Sequence, residues 1–175
     1  MRLDNIELLG AGSGAGTALN AVTASFLNGS VATYVTVTKN STAQSVTSTA
    51  ARLTNWDTPI TSINAGEWNG TTGIFTATKA GVYEVFSQLQ LAQANYTINN
   101  SIGVQIFKNA SAAIVSVGVL PVTANIFPSA VNVSGIISLA VGDTLSVFGV
   151  SGTTVNTHVF GCNLTIQEIP ARITR

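Results

Sequence analysis

Seven carboxylates are spread along the chain, at Asp4, Glu7, Asp57, Glu67, Glu84, Asp143 and Glu168. Hydrolysis of a glycosidic bond takes two acids held at a set separation, and no two of these sit at a spacing that forces such a pair. Calcium usually takes about six to eight oxygens, several of them from acids. Asp143 stands alone after Gly142, and its local reading is a turn residue whose carboxylate bonds nearby backbone amides. The only histidine is His158 and the only cysteine is Cys162. In an extended segment they would share a face about 13 Å apart, which excludes a local thiol–imidazole dyad. Cys162 is expected to be a small buried apolar residue. His158 reads as a strand residue; three symmetry-related copies ringing a metal is the alternative. One pattern has a binding chemistry. Trp56 precedes Asp57, and Glu67 precedes Trp68. An indole face can stack on a sugar while a carboxylate accepts its hydroxyls, so these four are candidate glycan contacts. The plainer reading is solvated acids beside packing tryptophans. No enzyme activity and no cofactor are expected.

The elements that would carry these residues follow from composition. The 175 residues are 46% hydrophobic but only 8% charged, with a formal net charge of zero. An ordinary globular chain is about a quarter charged. Long solvated helices need charged wet faces, so strands and turns are favoured instead. No basic run is present to neutralise phosphates, which excludes a typical nucleic-acid binder. No apolar run approaches the roughly 20 residues that span a bilayer. The first nine residues mix charges around a short apolar stretch, unlike a signal peptide, so synthesis in the cytoplasm is expected. The abundant Asn-X-Ser/Thr triplets (Asn28, Asn40, Asn69, Asn95, Asn109, Asn132 and Asn163 among them) then read as a by-product of composition. A charge-poor surface has little self-repulsion and favours association.

Residues 1–30 differ from the rest. Gly10–Gly16 is flexible by composition. Beyond it Leu19, Val22 and Phe26 fit one helical face with Thr17 as cap, though an extended arm fits as well. Together with Leu3, Ile6 and Leu8 they are the apolar candidates for an anchoring arm. From 31 to 168 strand patterns recur between turn signals such as Asn69-Gly70, Gly142-Asp143 and Ser151-Gly152. Roughly eight to ten antiparallel strands predict a two-sheet sandwich. Residues 169–175 form a tail. The clearest stretch is Thr72 to Leu89, read as two strands joined by a turn at Lys79-Ala80-Gly81. Along the second strand Glu84 and Phe86 share one face, and Tyr83, Val85, Ser87 and Leu89 share the other. An aromatic on the glutamate side is odd for a core strand and suits contact with another chain.

Four segments in order carry a family likeness: Trp56 with Thr72-Gly-Ile-Phe75, Ala80-Gly-Val-Tyr83, Ile137 to Leu145 with its Gly142-Asp143 turn, and Phe160-Gly-Cys-Asn-Leu164. Over 31–168 this resembles the complement C1q and tumour necrosis factor superfamily. The resemblance implies an all-β antiparallel jelly roll that assembles as a homotrimer. It also implies aromatics near the threefold axis, at the positions of Phe86 and, with valine in place of an aromatic, Val159. No collagen-like Gly-X-Y stalk is present. The likeness is greatest to bacteriophage virion proteins, which implies a capsid decoration (cement) protein or short head fibre on the outer capsid surface. Its partners would be itself and the major capsid or another virion protein. The alternative is a receptor-binding fibre tip that recognises a host surface glycan.

Overall fold

The computed structural model describes residues 32–39, 42–63, 67–92, 94–96, 100–120, 124–126, 129–157 and 161–170. The chain divides after Val31, and the arm candidates Leu3, Ile6, Leu8, Leu19, Val22 and Phe26 lie outside the described residues. So do His158, Val159 and Phe160.

Fifteen strands are described. They are β1 (Tyr34–Thr38), β2 (Ser45–Val46), β3 (Ala51–Arg52), β4 (Thr61–Ile63), β5 (Trp68–Asn69), β6 (Ile74–Thr76), β7 (Gly81–Leu91) and β8 (Ala94–Tyr96). There follow β9 (Asn100–Lys108), β10 (Ser111–Leu120), β11 (Ala124–Ile126), β12 (Ser129–Leu139), β13 (Thr144–Ser151), β14 (Val155–Asn156) and β15 (Asn163–Ile169). One sheet runs β12-β7-β15-β1-β4 and the other β10-β9-β13-β6-β5, with β3 also on β13. β11 pairs with β8 and β14 with β2. All named pairings are antiparallel. The all-β two-sheet jelly roll is therefore the observed architecture.

Alternation builds the core. On β7 the residues Tyr83, Val85, Ser87, Leu89 and Leu91 are buried while Val82, Glu84 and Phe86 are exposed. From the facing sheet come Phe75, Val104, Ile106, Leu145 and Val147, and from β1 and β15 come Val35, Val37, Leu164 and Ile166. Each such side chain contributes about 1.5–3 kcal/mol by removal from water. Gly135 on β12 leaves room for Ile114 of β10, whose Cδ1 would lie 2.4 Å from a Cβ there. The edge strands of the two sheets thereby close on one another.

The pair of strands around Lys79-Ala80-Gly81 is not a hairpin. β6 belongs to the β13 sheet and β7 to the β12 sheet, so residues 77–80 carry the chain across the sandwich. The crossing is held by Ala77, whose N–H bonds Asp143 O at 2.9 Å and whose carbonyl accepts Gly142 N at 2.8 Å. Phe75 and Tyr83 consequently meet from opposite sheets, edge to face, with ring centroids 5.7 Å apart.

The turn containing Asp143 is a closed polar network. Its carboxylate accepts Asn109 Nδ2 at 3.0 Å and Ala140 N at 2.8 Å, and lies 2.9 Å from Lys108 Nζ. Asn109, at φ 55°, passes the link on by accepting Thr144 N at 2.9 Å. The hydrogen bond from Asn109 does most to hold this carboxyl below its ordinary value of 3.8, followed by Lys108 and the Ala140 amide. The folded state thus holds the proton less tightly than the unfolded chain. Its stabilisation is present above pH 3.8 and is lost as pH falls below it. Melting temperature followed from pH 7 downward should fall more steeply below about pH 4 in the native protein than in Asp143→Asn. Parallel curves would remove Asp143 as a contributor.

Candidate assembly face and tryptophan hollow

The outward face of the five-stranded sheet is set by strand register. One row runs Ser134–Phe86–Thr165–Thr36, and the next Ile136–Glu84–Gln167–Tyr34. A further row places Ser138, Val82 and Ile169 together. Phe86 is 37% exposed, Val82 39%, Ile169 39% and Ile136 67%. These four lie among hydroxyl and amide side chains such as Ser134, Thr165, Gln167 and Thr36. Glu84 is the one charged residue at its outward register positions. Scattered exposed apolar side chains need no explanation, but a clustered apolar face with a single charge is the pattern of an interaction site. The sequence placed Phe86 on the outward face, and it lies there. Alternation along β7 also puts Val82 on that face, whereas Ile136 and Ile169 join it only when β12 and β15 are in register with β7.

The other sheet also presents apolar groups. Val115 and Val117 on its edge strand β10 are 52% and 55% exposed. Beside them Phe107 stacks on Phe148 with centroids 3.9 Å apart, and Arg52 lies over Phe148.

A hollow of about 420 Å³ lies where the segment after β3 meets the turn after β5, lined by Trp56, Asp57, Thr58, Pro59, Trp68, Gly70 and Thr71. Backbone bonds fasten its two sides: Asn55 N to Thr71 O at 3.1 Å and Trp56 N to Gly70 O at 2.9 Å. Asp57 N bonds Thr38 O at 2.9 Å, which ties the rim to β1. Gly73 turns beneath it at φ +66°, its N–H on Asn69 O. Trp56 and Trp68 meet edge to face at 6.1 Å and are only 6% and 8% exposed. They therefore serve as core residues whose edges reach the hollow. Trp56 Nε1 donates to Leu53 O at 3.0 Å. Trp68 Nε1 is buried with no hydrogen-bond partner among the described residues, a condition that costs about 1–3 kcal/mol for a buried polar group.

Of the four glycan candidates, Trp56, Asp57 and Trp68 line this hollow and Glu67 does not. Glu67 is 3% exposed. Its carboxylate accepts Thr33 Oγ1 at 2.7 Å, Thr78 N at 3.2 Å and the Thr78 hydroxyl. It is a structural tie between the approach to β1 and the crossing segment, not a solvated loop acid. Glu67 stands just before β5, and its bonds to Thr33 and Thr78 hold it away from the hollow that Trp68 lines.

Cys162 is buried immediately before β15, its Sγ against Gln90 O at 3.4 Å, and burial pushes its thiol pKa up. A thiol so placed is a packing group. Lys39 is also buried, which the sequence did not signal. Its Nζ donates to Thr54 O at 2.5 Å, and loss of solvent pulls its pKa down. Among the described residues no helix could cross a membrane and no group of three metal-ligating side chains converges.

No protein-family model and no curated protein matches the sequence. Solved structures do match its fold. Murine APRIL at pH 5.0 superposes with a TM-score of 0.60 at 12% identity, covering 79% of this chain and all of that one. The Eiger TNF of S. frugiperda superposes with a TM-score of 0.60 at 16% identity, over 81% of this chain and 96% of its own. Identities this low speak to architecture alone, and the architecture is that of a TNF-like jelly roll.

Proposed function

We propose that the protein is a homotrimeric structural module of a bacteriophage particle, a capsid decoration protein or short head fibre, with residues 1–30 as its attachment arm. The observation that carries the self-association is the outward face of the five-stranded sheet, with Phe86, Val82, Ile136 and Ile169 exposed around a single charge. Covering that face with copies of the chain removes the apolar side chains from water without burying an array of charges. The low charge of the whole sequence supports dense packing beside other subunits, because little electrostatic repulsion opposes it. The virion role rests on the sequence likeness and on the glycine-rich segment ahead of the β domain. Three arms on one trimer would multiply weak individual contacts, by about 10²–10⁴ when all can engage.

Sedimentation at micromolar concentration should give a species three times the 18.0 kDa chain mass. A monomer there would refute self-association. Deleting residues 2–28 should preserve that species and abolish binding to undecorated capsids. Undiminished binding would refute the anchoring role.

A further inference from the structure

We infer that the hollow beside Trp56 and Trp68 binds one neutral pyranose unit of a saccharide. The hollow is formed within a single chain, so the inference stands whether or not the protein assembles. Its volume of about 420 Å³ falls within the roughly 300–1,000 Å³ of small-ligand sites. Its wall is mixed, with two indoles and Pro59 on the apolar side and Asp57, Thr58 and Thr71 on the polar side.

The orphaned indole N–H gives the hollow its direction. Trp56 spends its N–H on Leu53 O, whereas Trp68 Nε1 has no partner among the described residues. A Cβ built on Gly70 would sit 3.5 Å from that nitrogen. The nitrogen is itself covered, so a ligand hydroxyl reaches it by a small shift of the Gly70 backbone, which lines the hollow and carries no side chain to stand in the way. The remaining groups complement a ring of hydroxyls. Asp57 is acceptor only, the indole is donor only, and the two threonines can do either. Asp57 also takes a long hydrogen bond from Thr38 Oγ1, at 3.4 Å, which steadies the carboxylate at the rim. A simple cation would use Asp57 and leave the indole N–H unanswered. An apolar ligand would satisfy neither. Because both indoles are almost fully buried, the sugar would lie against their edges instead of stacking on an open face.

The chain contains two tryptophans, and both line the hollow, so intrinsic fluorescence reports on it directly. The full chain is titrated with glucose, galactose, mannose, N-acetylglucosamine and their disaccharides, and is separately applied to an array of immobilised bacterial polysaccharides. The two arms separate a soluble sugar from a surface polymer, and specific binding in either supports the site. Thr71→Val and Asp57→Asn should each weaken that binding about tenfold or more, the effect of losing a hydrogen bond to a desolvated polar group. Thr71 is exposed, so its variant should keep the native melting temperature. Gly70→Ala, whose methyl would lie 3.1 Å from Trp56 O, should abolish binding. The inference is overturned by no saturable response to any sugar at roughly 0.1 M together with a blank array. It is equally overturned by binding that all three variants leave unchanged. A saturable response to tetramethylammonium in the absence of any to sugars would replace it with a cation site.

Discussion

Gly73→Ala should destabilise the fold by roughly 3–5 kcal/mol, lowering the melting temperature by about 10 °C or more in a chain of this size. Two effects combine. Gly73 has φ +66°, where an L side chain is strained. Its Cβ would also sit 2.0 Å from Leu53 O and 3.0 Å from Trp56 Nε1. That carbonyl already accepts the Trp56 indole, so the methyl cannot be admitted without disturbing the bond that seats Trp56 in the core. Gly142 supplies the control. It too has positive φ, at +86°, but nothing lies within 4 Å of its Cβ position. Gly142→Ala should cost only about 1 kcal/mol, the conformational part alone. Thermal unfolding of the two variants side by side measures the difference. Equal losses would show that the Leu53 carbonyl moves aside freely and that backbone strain is the whole effect.

Phe86→Glu should dissociate the proposed trimer, weakening each subunit contact by at least about 100-fold, or near 3 kcal/mol. The change removes an aromatic from the centre of the contact and adds a carboxylate beside Glu84, the neighbouring charge on the same face of β7. Threefold symmetry repeats the penalty at every contact. The isolated subunit should keep its stability, because Phe86 is 37% exposed within one chain. Phe75→Tyr is the complementary variant. Phe75 is fully buried against Tyr83, so a hydroxyl there should lower the melting temperature while leaving the sedimentation of the folded species unchanged. Val117→Glu tests the other sheet. If it dissociates the oligomer and Phe86→Glu does not, assembly uses the β10 side and the assignment of the face is wrong.

Much of this was legible in the sequence, and what was not has physical causes. The two-residue period of β7 separated Phe86 and Glu84 from Tyr83 and Val85 correctly, since alternation reports the side of a sheet directly. It does not report which sheet. β6 and β7 therefore looked like a hairpin, whereas the partners that decide their membership, β13 and β12, lie far onward in sequence. Strands such as β2, β5 and β14 contain two residues each and are too short to show a period; they exist because longer neighbours align them. The tryptophan–acid pairs show a different limit. Trp56 and Asp57 reach one hollow because their segment is irregular, while Trp68 and Glu67 diverge at the start of a strand. The burial of Glu67 depends on Thr33 and Thr78, side chains brought to it only by the finished fold.

The place of β15 in its sheet fixes the order in which the molecule can be completed. It lies between β7 and β1, pairing Val35 with Ile166 and Val85 with Ile166. Until it emerges from the ribosome, β1 and β7 have no bridge between them, and both present open backbone edges that invite pairing with other chains. Loop closure over most of the chain must also precede any gain from these contacts, which makes the step slow. The row Ser134–Phe86–Thr165–Thr36 is continuous only once that strand is inserted. Phe86, Val82 and Ile136 come together on β7 and β12 without it, but Thr165, Gln167 and Ile169 join them only when β15 is in place, so the face is whole only after the fold has closed.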